Sequence, residues 1–320
     1  MYRLLKFPAK LALLIWCRHL RINDKAILNA SGPILLAANH PDSFLDAILL
    51  CTIFKRPVHS LARGDVFTRK TSNALLRSMN MLPVYRLREG AENLEENYKT
   101  FADCIEVFKQ NGIVLIFSEG ACVNEWNLRP LMKGTARLVL QAWEQKIPLT
   151  VLPLGINYNS FRRFGKNIIL NFGVPITEKN AGFSGKENYG EQIRLFNAAL
   201  RSDLEKRVIQ IKPPDKKMIR SVFEVAVPAL KKILLFIPAV FGFLLHAPLY
   251  IPVQKIVYKK FGKIDHYDSV MTGALFLLYP FYLILFAVIT GIFFGAWWWV
   301  AVFFIMPFMA WSYVGLKRQV

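Results

Sequence analysis

Acidic residues are scarce in this chain: 22 Asp and Glu stand against 41 Lys and Arg in 320 residues, a net charge of +19. Such an excess points to a polyanionic partner, either nucleic acid or a membrane surface. Zinc-finger spacing, an aromatic-basic RNP-like run and a heptad zipper are all missing. With 54% hydrophobic residues, membrane lipid is the expected partner and nucleic acid is not. Cysteine is sparse too: Cys17, Cys51, Cys104 and Cys122 form no CxxC pair, so buried free thiols in a reducing compartment are expected. Five histidines without an HExxH give no reason to expect a metal site. The chain has no G-x-S-x-G elbow and no cysteine beside a histidine, so nothing marks a covalent nucleophile.

Charge is absent altogether between Ser269 and Leu316. A bilayer core takes about 20 apolar residues per helix, so two spans are expected, at about 270–290 and 296–316, with a turn between Thr290 and Gly295. The apolar stretch Ile233 to Val253 contains Pro238, Pro248 and Pro252 and precedes Lys255, Lys259, Lys260 and Lys263. If it spanned alone, that basic loop would lie opposite the basic body, against the positive-inside tendency. A re-entrant or interfacial segment followed by a hairpin is therefore expected, with three spans as the alternative. At the other end, Met1 to Arg21 lacks a small-x-small cleavage site. Its apolar residues alternate with Arg3, Lys6, Lys10, Arg18 and Arg21, which predicts an amphipathic interfacial helix over residues 1–25; a basic helix packed on the body fits equally well.

Between these segments, strand-like and helix-like periodicities alternate. Strands are expected at Ile34 to Ala38, Val58 to Ala62, Leu82 to Tyr85, Ile113 to Phe117, Leu149 to Leu154 and Ile168 to Phe172. Helices are expected at Phe44 to Phe54, Ala91 to Gln110, Leu131 to Gln145 and Glu191 to Ile209. Alternation of this kind predicts an α/β fold: a mostly parallel sheet flanked by helices, with an N-terminal interfacial helix and a C-terminal transmembrane helical hairpin. The catalytic domain would occupy 26–215 and the membrane region 216–320. Ligands gather beyond the carboxyl ends of such strands, and His40, Arg86, Ser118-Glu119-Gly120 and Gly155 all follow predicted strands.

The sharpest motif is Asn39-His40-Pro41-Asp42-Ser43-Phe44-Leu45-Asp46. A carboxylate on one imidazole nitrogen orients the ring and stabilises the imidazolium formed when the other takes a proton, which makes a general base. On one continuous helix, residues six apart lie roughly 240° around the axis, so His40 and Asp46 could not meet. Pro41 disfavours helix in the residue before it. The expected arrangement is a loop histidine, a turn at Pro41-Asp42 and a helix from Ser43 that brings Asp46 under the ring. The alternative is a plain S-x-x-D capping box at Ser43 and Asp46.

Four ordered blocks resemble the glycerolipid acyltransferases, a family that includes lysophosphatidate and glycerol-3-phosphate acyltransferases. They are Asn39-His40 to Asp46, Leu82-Pro83-Val84-Tyr85-Arg86, Phe117-Ser118-Glu119-Gly120 and Leu152-Pro153-Leu154-Gly155; Lys133-Gly134-Thr135-Ala136 is also similar. Two departures stand out: five residues separate His40 from Asp46 where four are commoner, and Ser118 replaces a proline. The resemblance implies His40 as base and Asp46 as its partner. Arg86 would hold the acceptor's phosphate, with Lys133 and Arg63 as further cations. Glu119, Gly120 and Ser118 would line the acceptor site, and backbone amides near Gly120 or Gly155 would stabilise an oxyanion. It implies no cofactor, with acyl-CoA or acyl carrier protein as co-substrate and a phosphate-bearing glycerol as acceptor, first of all 1-acyl-glycerol-3-phosphate. Glycerol 3-phosphate, a lyso-aminolipid, or transacylation and hydrolysis of phospholipid by the same dyad are the alternatives. The catalytic domain would face the cytoplasm at the inner (plasma) membrane.

Overall fold

The computed structural model describes residues 1–85, 94–212 and 215–320. Its elements run α1 (Tyr2–Trp16), β1 (Cys17–Ile22), β2 (Ile34–Ala38), α2 (Phe44–Ile53), β3 (Val58–Arg63), α3 (Lys70–Ser78), β4 (Met81–Val84), α4 (Leu94–Lys109), β5 (Ile113–Phe117), α5 (Gly134–Glu144), β6 (Thr150–Tyr158), β7 (Lys166–Phe172), α6 (Tyr189–Arg207), α7 (Lys216–Phe223), α8 (Ala229–Phe261), α9 (Tyr267–Phe294) and α10 (Ala296–Leu316). The chain forms two compact units. One comprises Met1–Ala9, Arg21–Asn157 and Ile169–Lys212; the other comprises Lys10–Leu20, Tyr158–Ile168 and Pro213–Val320.

Seven strands form one sheet in the order β1-β7-β6-β2-β5-β3-β4. β2 lies between β5 and β6 and is parallel to both, with Ala38 opposite Phe117 and Leu154. β3 is parallel to β5 and to β4, where Arg63 pairs with Val84. Five strands therefore deliver their carboxyl ends to one edge. Every residue of β2 is buried, as a strand covered on both faces requires. Successive strand side chains point to opposite faces, and Leu35, Ala37, Val114 and Ile116 pack on Phe108, Leu138, Trp143, Phe196 and Leu200 from α4, α5 and α6. The Trp143 indole meets Phe196 edge-on at 5.9 Å and donates to the Leu149 carbonyl at 3.0 Å. α4 stops where expected: Asn111 takes φ 57 and the Gly112 N–H donates back to Val107 O at 2.7 Å, a left-handed helix end.

The N-terminal helix ends at Trp16, short of the expected 1–25, and Cys17–Ile22 is a strand. In Cys-Arg-His-Leu-Arg-Ile, the exposed His19 and Arg21 alternate with half-buried Arg18, Leu20 and Ile22. That period of two selects strand over helix, and basic residues on its open side hide it from a hydrophobicity reading.

Within the second unit, α8, α9 and α10 are each long and apolar enough to cross a membrane by length and composition. α9 and α10 form a hairpin that turns at Gly295, whose φ of 93° is costly for other residues. α8 behaves differently. Just ahead of it, Val225 exchanges hydrogen bonds with the Gln319 side chain at 2.9 and 2.6 Å. Farther along α8, Gly242 abuts the Met309 carbonyl and His246 meets the Tyr279 hydroxyl at 3.1 Å. At its far end, Val253 and Val257 pack on Tyr267 and Met271. Both ends of α8 therefore lie where α9 begins and α10 ends, and the helix arches across the hairpin. Pro238, Pro248 and Pro252 each remove a helical hydrogen bond, which is how such a bend arises.

Candidate active site

His40 sits just beyond β2 on a backbone fixed from four directions. The preceding Asn39 is buried; its amide donates to Ile156 O at 3.0 Å and accepts from Ile156 N–H at 2.7 Å, tying the loop to β6. His40 N–H donates to Glu119 Oε2 at 2.8 Å, and Val123 N–H donates to His40 O at 3.2 Å. Asn124 Nδ2 donates to Pro41 O at 2.7 Å. The imidazole stacks on Phe117, with centroids 3.7 Å apart and planes 9° from parallel.

Asp46 lies in the first turn of α2, where unpaired amides favour a carboxylate. Its Oδ2 is 2.8 Å from His40 Nδ1 and accepts from Asp42 N–H at 2.9 Å. Asp46 is fully buried, while the His40 side chain keeps 17% exposure. A carboxylate on Nδ1 selects the tautomer with the proton there and leaves the Nε2 lone pair as base. Ser43, the residue capping α2, makes no side-chain capping bond and has φ 51, so the simple capping box does not form. Pro41 and the left-handed turn at Ser43 fold the histidine back over the helix start.

Glu119 is bonded to the backbone through both of its carboxylate oxygens. It is 4% exposed, and its Oε1 accepts from Arg129 N–H at 2.8 Å while Oε2 holds His40 N–H. Burial raises its pKa, against the lowering effect of those two bonds. A carboxylate that clamps two backbone amides positions the histidine loop. Ser118 is likewise bonded within the fold. It is buried, its N–H donates to Ala38 O at 2.9 Å, and its hydroxyl accepts from Thr135 at 3.0 Å, which ties the loop to α5. Gly120 turns the chain at φ 64 and gives its N–H to Phe117 O at 3.0 Å, so it is not a spare oxyanion donor. At Gly155 a Cβ would lie 2.3 Å from Arg207 O; the glycine is there to admit the end of α6.

Arg63, at the carboxyl end of β3, is about half exposed and pairs with Asp65. Lys133 is exposed and caps α5. Arg86 lies outside the described residues. Its predecessor Tyr85 exchanges backbone hydrogen bonds with the Asn97 side chain, both 2.8 Å. Trp126 is half-buried, and its carbonyl accepts from Ile211 N–H at 3.0 Å. Sequence reasoning missed Asn39 and the Phe117 stack as parts of the site. Their only local signals were adjacency to His40 and an aromatic at the end of a buried strand.

Residues 19–157 match the family model described as Acyltransferase, a segment containing the whole His40 constellation. Comparison with curated proteins gives no match. Among solved structures, the 1-acyl-sn-glycerophosphate (LPA) acyltransferase PlsC from Thermotoga maritima matches at 15% identity and a TM-score of 0.45, covering 70% of this chain and 81% of that one. The likeness to the Acyltransferase family thus lies in residues 19–157, the segment that holds His40 and Asp46.

Proposed function

We propose that the protein is a membrane-bound glycerolipid O-acyltransferase that moves a fatty acyl chain from acyl-CoA or acyl carrier protein to 1-acyl-glycerol-3-phosphate. The observation that carries this reading is the 2.8 Å contact between His40 Nδ1 and buried Asp46 inside the family segment. His40 Nε2 takes the proton of the acceptor hydroxyl, and the oxygen attacks the thioester carbonyl. As the tetrahedral adduct collapses, the C–S bond breaks and the imidazolium protonates the departing thiolate. Asp46 stabilises the imidazolium between those steps. Arg86, with a guanidinium that matches two phosphate oxygens, is the proposed phosphate clamp; Lys133 and Arg63 add positive charge.

Charge distribution supports a cytoplasmic catalytic domain. Because α8 arches back, Lys231, Lys232, Lys255, Lys259, Lys260, Lys317 and Arg318 gather at one end of the helical unit, while the turn at Gly295 is uncharged and followed by Trp297, Trp298 and Trp299. A cationic end belongs on the cytoplasmic side, and tryptophans at the other end suit the opposite interface. Membrane attachment also serves turnover. Each methylene taken from lipid into water costs about 0.8 kcal/mol, so a two-chain product is best released directly into the bilayer.

Mass spectrometry of products from a panel of acceptors, offered with both thioester donors, tests the assignment. Diacylated product from 1-acyl-glycerol-3-phosphate is expected. Acylation of another acceptor alone would reassign the substrate, and free fatty acid without any acylated acceptor would make the dyad a hydrolase.

A further inference from the structure

Within the helical unit, an apolar groove of about 460 Å³ runs between α8 and α10, within the size of ordinary ligand pockets, ~300–1,000 Å³. Its walls are Phe236, Val240, Phe243 and Tyr313, and Lys232 and Lys317 stand at one end. The groove is polarised: from Lys232 it follows α8 as far as Leu244, a rise of about 18 Å at 1.5 Å per residue. That is close to the depth of one leaflet, about half of a ~30 Å hydrocarbon core. Its wall residues Phe236, Val240 and Phe243 are all exposed in the chain by itself.

Several cations lie together at this end, with Asp268 among them. Lys317 is pushed down to about 8, first by burial and then by Arg18, Arg163 and Lys166; Asp268 acts the other way. Lys166 itself is ion-paired with Asp268. Arg18 spends hydrogen bonds on the carbonyls of Val314 and Lys317, at 2.8 and 3.1 Å. Beside Lys232, Lys231 lies 5.1 Å from the Trp311 ring, the aromatic-basic pairing of a headgroup-level interface.

We infer that this groove holds one anionic phospholipid of the surrounding bilayer, its phosphate at Lys232 and Lys317 and an acyl chain along Phe236, Val240 and Phe243. The lysines supply charge for the phosphate, the groove's depth matches a chain within its own leaflet, and a zwitterionic lipid would bring a second cation into a region already rich in them. The inference rests on membrane insertion of the helical unit and not on acyl transfer.

Native mass spectrometry of the full chain tests it, after reconstitution in vesicles of equal phosphatidylglycerol and phosphatidylcholine and extraction into mild detergent. One phosphatidylglycerol per chain should survive extraction, favoured at least fivefold over phosphatidylcholine. K232Q/K317Q should lose that preference, and V240W, which fills the groove without altering charge, should lose the bound lipid. K255Q/K259Q, at lysines outside the groove, should keep both, and so should H40A, which separates this site from the fate of the proposed activity. Equal retention of the two lipids by the unaltered protein would overturn the inference, whatever the folding of the variants. So would an equal loss of preference in K255Q/K259Q, which would assign the selectivity to general surface charge.

Discussion

The substitution Glu119→Gln separates two roles for a residue that sequence alone assigns to the acceptor. In the structure its two oxygens accept from His40 N–H and Arg129 N–H, each at 2.8 Å. The side-chain amide of E119Q would keep one acceptor and turn an NH2 towards the other donor. An orphaned buried N–H costs ~1–3 kcal/mol, but removing a buried charge whose pKa is already raised by burial offsets part of that. The net stability change is therefore expected below ~1.5 kcal/mol by the same scale, while the histidine loop loses its clamp. Misplacement of a catalytic group by about 1 Å can cost ~100-fold, so kcat should fall ~10–100-fold with KM for the acceptor changed less than about threefold. Steady-state kinetics with a labelled thioester, beside thermal melts in detergent, reads both. An acceptor KM raised tenfold at unchanged kcat would refute the clamp and restore Glu119 to the acceptor site.

The same carboxylate predicts a pH effect. Its folded pKa is raised above the ordinary carboxyl value of 4.5, so between the two values the folded state holds a proton that the unfolded state has released, and stability falls as pH rises through that window. Melts of the wild type should show this slope relative to E119Q, and parallel pH profiles would contradict it. N39A should cost ~1–3 kcal/mol for each of the two Ile156 backbone groups it orphans, seen as a lower melting temperature together with lost activity; a melt unchanged from wild type would show that the bridge to β6 contributes nothing. G155A should destabilise by ~1–3 kcal/mol through overpacking, because its Cβ meets the backbone of Arg207 rather than a movable side chain. Normal stability there would show that the end of α6 yields.

Much of the sheet was legible because β2 and β5 are short, wholly apolar runs with nothing else to become. The His40–Asp46 geometry was legible as well, since Pro41 disfavours the one conformation in which a spacing of six fails. β1 was not, because it follows a helix directly and carries basic residues on its open face. The hydrogen bonds of Glu119 and Ser118 were not legible for another reason: their partners are backbone amides and a threonine hydroxyl brought close by the fold, and chain position does not reveal which groups a carboxylate will satisfy. Asn39 illustrates the same point, bonding to a residue 117 positions away. The prolines of α8 announce a bend in the sequence. Which end of the hairpin its two arms return to depends on Val225 meeting Gln319 and Val257 meeting Tyr267, contacts that only the folded chain supplies.

The central claim is that His40, held by Asp46, removes the acceptor's proton. Transfer of a labelled acyl chain from a thioester to 1-acyl-glycerol-3-phosphate, by purified wild type and by H40A with a matched melting temperature, tests it most directly. The diacyl product should fall by ~10²–10⁴-fold in H40A, the usual worth of a general base. A folded H40A that still transfers the chain at the wild-type rate would contradict it.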